Sequence, residues 1–101
     1  MDKENVFNII ADGIKKVTTA GTRLALASSS TLARRVIIQA CPENTDGVVV
    51  GASTVVASFA TRRGFLLQPG QSVTLNVKDL ADIYVDSIVS GEGVSFVYFN
   101  N

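Results

Sequence analysis

Short apolar runs, rich in β-branched residues and broken by turn residues at intervals of about ten positions, recur from Lys15 to the end of the chain. Residues 15–19 and 22–27 flank Ala20-Gly21, and Ser28-Ser29-Ser30-Thr31 follows as a polar loop. Residues 34–40 carry Val36, Ile37 and Ile38 and are too few for a typical helix. Val48-Val49-Val50 lies between Gly47 and Gly51, and three consecutive valines suit a strand buried on both faces or a short pairing strand between turns. Pro69-Gly70, after Phe65-Leu66-Leu67, is the pair a type II turn requires: proline supplies the first φ and glycine accepts a positive second one. Beyond it, Val73, Leu75 and Val77 alternate with Ser72, Thr74 and Asn76, which assigns the apolar set to a core face. Residues 83–86 and 94–99 complete the series around the Gly91-Glu92-Gly93 turn. Seven or eight short strands in this order predict an all-β domain, an antiparallel β-sandwich or jelly-roll-like barrel.

The 101 residues suffice for one domain, and 47% hydrophobic against 18% charged residues supports a packed core. The domain is expected over residues 15–101, preceded by an arm or short helix over residues 1–14. That segment carries Val6, Phe7, Ile9, Ile10 and Ile14 at loosely helical spacing, and docking on a neighbouring subunit fits it equally. Asp79-Leu80-Ala81-Asp82 predicts a single helical turn capped by Asp79. The start lacks the basic region and long apolar run of a signal peptide, and no apolar stretch has membrane-spanning length. The expectation is synthesis in a cytoplasm and solubility until a partner is met, with no membrane association.

The composition removes whole classes of chemistry. With no histidine and one cysteine, the ligand set of a Cys/His zinc site and the base of Ser-His-Asp or Cys-His catalysis are missing. A lone cysteine closes no internal disulfide, and Cys41, beside Pro42, reads as a small buried apolar residue. Asp79, Asp82, Asp86 and Glu92 lie within fourteen positions, yet their spacing is not that of a calcium loop. They read as a solvated edge with one capping aspartate. No pocket-forming aromatics accompany them as a glycosidase pair would need. Gly91-Glu92-Gly93 lacks the Lys-Ser/Thr and the helix of a phosphate loop. No catalytic, cofactor or metal residue is assigned, and no enzyme activity is expected.

Charge is neutral in total and uneven along the chain. Residues 1–14 hold one base and three acids, residues 15–63 seven bases and two acids, and residues 64–101 one base and four acids. Those blocks carry −2, +5 and −3. Net zero argues against specific nucleic-acid binding, whereas uneven blocks favour oriented protein contacts. Arg34-Arg35 and Arg62-Arg63 are the basic pairs; strand alternation assigns one arginine of the first pair to the sheet surface and the other to the core margin. Candidate subunit contacts are therefore Val6, Phe7, Ile9, Ile10, Arg34, Arg35, Arg62 and Arg63.

Taken in order, Lys16-Val17-Thr18-Thr19-Ala20-Gly21-Thr22, Arg35-Val36-Ile37-Ile38-Gln39-Ala40, the Asn44-Thr45 loop and Val48-Val49-Val50-Gly51 resemble small virion proteins of tailed bacteriophages. The series from Leu67 through Gln68-Pro69-Gly70-Gln71, from Asp79 to Asp86, and from Gly91 to Tyr98 continues the likeness, which covers nearly all of residues 15–99. The resemblance implies a non-enzymatic virion component with no catalytic motif to carry over. Its expected role is a capsid decoration or cement protein, homo-oligomeric and bound to the major capsid protein or another virion protein, needing no cofactor. Placement in the tail, neck or baseplate is an alternative. A receptor- or glycan-binding module is another, and it calls for exposed aromatics clustered on one set of loops.

Overall fold

The computed structural model describes residues 10–100. Eight strands occur in chain order: β1 (Ile10–Lys16), β2 (Leu24–Ala25), β3 (Arg35–Ala40), β4 (Val48–Gly51), β5 (Phe65–Leu67), β6 (Ser72–Asn76), β7 (Tyr84–Ser87) and β8 (Gly93–Phe99). They form two four-stranded antiparallel sheets, β1-β8-β3-β6 and β2-β7-β4-β5. The pairings β1 with β8, β2 with β7, β3 with β6 and β4 with β5 are those of one long hairpin. Rolling that hairpin up places β8 beside β3 and β7 beside β4. This is the strand order of a jelly roll, one of the two arrangements expected from the strand rhythm.

Period-two alternation explains how the sheets close on each other. Val36, Ile38 and Ala40 of β3 and Val94 and Phe96 of β8 meet Val48 and Val50 of β4, Leu67 of β5 and Val85 of β7 in one buried cluster. Val73, Leu75 and Val77 pack against its side, as their alternation with Ser72, Thr74 and Asn76 requires. Each fully buried aliphatic side chain contributes about 1.5–3 kcal/mol relative to exposure. Gly13 stands opposite Phe96, whose ring occupies the space a Cβ at that position would take. The Pro69-Gly70 turn forms as expected: Gly70 has φ 87°, and the Gln71 amide donates to the Gln68 carbonyl at 2.9 Å.

The second sheet is covered on both sides. Val49 faces away from the main core, yet it is buried, because Val55 and Ala57 of the β4–β5 connection lie over it with Leu66 and Tyr84 alongside. That connection is itself closed by reciprocal hydrogen bonds between the backbones of Val56 and Arg63, at 3.1 and 2.9 Å. A 3₁₀ turn, Phe59–Thr61, lies between those two residues. The three valines thus occupy the doubly buried strand their sequence suggests.

Residues 10–14, expected as part of an arm or helix, belong instead to the first strand. They pair with residues 95–99 of β8, and the side chains of Ile10, Asp12 and Ile14 fall on one face at period two. The helical spacing of apolar residues gives way to ladder hydrogen bonds that only an extended chain makes. Val6, Phe7 and Ile9 lie outside the described residues.

Candidate functional site

Three acidic side chains, Asp79, Asp86 and Glu92, fasten segments that are distant in the sequence. Asp79 caps the 3₁₀ turn Leu80–Asp82 by accepting the Ala81 amide at 2.9 Å, as expected, and it also accepts the Thr31 amide at 2.7 Å and the Ser30 hydroxyl. The hydroxyl first, then the two amides, hold its carboxyl below the usual aspartate range. Glu92 accepts the Thr45 hydroxyl and amide, both at 2.7 Å, and the Asp46 amide at 3.2 Å. Those bonds, Thr45 hydroxyl foremost, with a smaller contribution from the Lys16 charge, pull its carboxyl down against the opposing effect of desolvation.

Asp86 corrects the reading of the acidic group as a solvated edge. It is 1% exposed, opposite Val49 in the ladder, on the face covered by the β4–β5 connection. Oδ1 accepts the amides of Gly21 and Ser87, and Oδ2 accepts the amide of Ala57, each at 2.9 Å. One side chain therefore ties the β1–β2 and β4–β5 connections to β7. The valine triplet carried the signal for this: a strand buried on both faces implies that a cross-strand neighbour of its middle residue is buried too.

The carboxylates do not converge on a cleft, since Asp79 fastens residues 30–31 while Asp86 fastens residues 21 and 57. Among the described residues, no three Cys, Asp or Glu side chains form a group that could hold a metal ion. Cys41 is buried at the end of β3, where its amide donates to the Gly93 carbonyl at 3.1 Å.

The arginine pairs lie on different layers. Arg34 and Arg35 are both exposed at the start of β3, so neither reaches the core margin expected for one of them. The Arg35 guanidinium stacks over the Phe99 ring, 4.9 Å from its centroid, which anchors it to the sheet surface. Arg34 lines an open groove with Leu32, Asn76 and Lys78 at the sheet's end. Arg62 belongs to the cover of the second sheet; its Nε donates to the Ala57 carbonyl at 3.2 Å, and its guanidinium lies 5.8 Å from the Phe59 ring centroid. Arg63 engages Val56 through its backbone.

The surface best suited to a partner is the outer face of β1-β8-β3-β6. Cross-strand register places three rows there: Ile10–Phe99–Arg35–Asn76, Asp12–Val97–Ile37–Thr74 and Ile14–Ser95–Gln39–Ser72. Ile10 is 66% exposed and Ile14 59%, and Ile37 and Val97 are also in the open. A shallow groove runs across the middle row, between Asp12, Ile37, Ser72 and Val97. Apolar residues hold the centre, with Asp12, Lys16 and Arg35 at the margins, the arrangement of a protein contact surface. Ile10 and Ile14, both in the segment expected to dock on a neighbour, lie on this face, and it also exposes Ile37 and Val97, for which the spacing of apolar residues predicts no contact role. Comparison with protein-family models, curated proteins and solved structures found no match.

Proposed function

We propose that this chain is a structural protein of a tailed-bacteriophage virion, a decoration or cement subunit that binds the shell of major capsid protein. The observation that carries the reading is the contrast between the two sheets: one outer face is sealed by its own chain, and the other presents Ile10, Ile14, Ile37 and Val97 to solvent. A jelly roll with its connections fastened by carboxylates is a rigid body that offers a surface, and viral shells are among the settings where the fold occurs. Binding through that face also stabilises the folded subunit by mass action.

The test is co-sedimentation of the purified chain with shells assembled without it. Binding that is lost in Ile37→Lys and Val97→Lys, with the circular dichroism spectrum unchanged, supports the reading. Equal binding by the variants, or none by the wild type, overturns it. Attachment to isolated tails alone transfers the same face to a tail, neck or baseplate role. A receptor- or glycan-binding role is favoured by one observation, Phe59, which is 87% exposed beside Arg62 at a loop tip. It predicts cell or glycan binding that Phe59→Ala abolishes.

A further inference from the structure

Among the described residues, the outer strand β1 has an open edge with a defined phase. The Val17 amide donates to the Glu92 carbonyl at 2.9 Å, so the odd-numbered residues of this strand direct their backbone groups toward β8. The partner strand agrees: the Gly93 carbonyl accepts the Cys41 amide at 3.1 Å, which turns the odd residues of β8 toward β3 and the even ones toward β1. The N–H and C=O groups of Asp12, Ile14 and Lys16 therefore point away from the sheet, and among the described residues none of them has a partner. Seven residues long, free of proline and paired to β8 without a bulge, β1 is the longest edge in the molecule's two sheets. An edge of this kind templates the addition of another strand.

We propose that this edge takes β1 of a second copy, antiparallel and two-fold symmetric, with Ile14 opposite Ile14 and Asp12 opposite Lys16 of the second copy. The backbone phase requires even-numbered residues to face even-numbered ones, and charge then selects among the allowed registers. Centred on Ile14, pairing gives two Asp–Lys pairs directly across the ladder, flanking an Ile–Ile pair, all on the outer face. Shifted so that Gly13 is central, it sets Asp12 against Ile14. Shifted further, so that Asp12 is central, it sets two carboxylates face to face. Opposite charges stabilise a directly opposed pair and like charges destabilise it, and a two-fold contact repeats each pair.

The pairing does not depend on the virion reading, and it bears on the exposed face. One outer face of four strands and three rows covers only about 400 Å², well below the roughly 800 Å² per partner of a standard interface. Edge pairing joins two such faces into an eight-stranded surface with the isoleucines at its centre, doubling what a third protein can grip.

The test is sedimentation equilibrium of the full chain from about 1 μM to about 1 mM, the span appropriate to a small contact. The wild type is expected to be in monomer–dimer equilibrium. Asp12→Lys alone and Lys16→Asp alone each weaken the dimer on the order of tenfold or more, and the double exchange restores it. Thermal melts of each variant verify that the monomer remains folded. A further variant, Ile14→Pro, removes an outward amide that β8 does not use, and it abolishes pairing. A monomer throughout the range, a dimer indifferent to both single exchanges, or a double exchange that fails to restore association overturns the proposal.

Discussion

Asp86 and Ala57 are far apart in sequence and joined by a buried hydrogen bond, 2.9 Å from the Ala57 amide to Oδ2. The other oxygen of the same carboxyl holds the amides of Gly21 and Ser87. The cover over the second sheet and the connection leading into β2 thus share one anchor.

Replacing Asp86 by alanine leaves three amides without their acceptor, two of them in buried bonds, each loss costing about 1–3 kcal/mol. Asp86→Ala is expected to lower unfolding free energy by roughly 3 kcal/mol or more, and Asp86→Asn by less, because one amide oxygen survives as an acceptor. Urea denaturation measures both. Equal stability of wild type and Asp86→Ala contradicts the anchoring role.

Two valines distinguish the covered face from the open one. Val49→Thr buries a hydroxyl under Val55 and Ala57 and is expected to cost about 1–3 kcal/mol. Val97→Thr places the hydroxyl on the open face and is expected to change stability by no more than about 0.5 kcal/mol. Thermal melts of the two variants should separate clearly, and similar melts would argue that the β4–β5 connection does not seal its sheet.

Gly93 tests the close approach of β8 to β1. A Cβ there would run into the Lys15 carbonyl oxygen and lie 2.7 Å from Lys16 Cα, and backbone cannot yield as a side-chain tip can. Gly93→Ala is therefore expected to destabilise by about 1–3 kcal/mol. Gly21→Ala meets no neighbour and is limited to the strain of its positive φ of 90°. Denaturant midpoints of the pair measure the difference.

Acid should weaken the fold through Asp79 and Glu92. Both carboxyls are depressed in the folded chain, so the unfolded chain binds protons more readily. Their contribution is present above the ordinary carboxylate range and is lost as pH falls through the lower folded values, below about pH 4. The melting temperature is expected to fall across that window, and the double variant Asp79→Asn, Glu92→Gln to show a shallower fall. An unchanged slope would contradict this origin.

Much of the roll was legible from residues alone. The Pro69-Gly70 turn, the alternation from Ser72 to Val77 and the cap at Asp79 are local devices, and local devices survive into the fold. Residues 10–14 were not legible as strand, because their partner lies at the far end of the chain and only pairing with β8 decides between helix and extension. Asp86 was hidden for a similar reason. The acids that share its stretch of sequence, Asp79, Asp82 and Glu92, are exposed or half-buried, whereas its own environment is made by Val49 and by a connection without strand periodicity. The arginine pairs misled because neither the stacking of Arg35 on Phe99 nor the separation of the two pairs onto different layers leaves a mark in spacing.

Electron microscopy of particles carrying this chain tests the central claim most directly. The account predicts an eight-stranded roll on the shell, with the face bearing Ile37 and Val97 against the major capsid protein. A roll that turns this face to solvent, or one seated away from the shell, would contradict it.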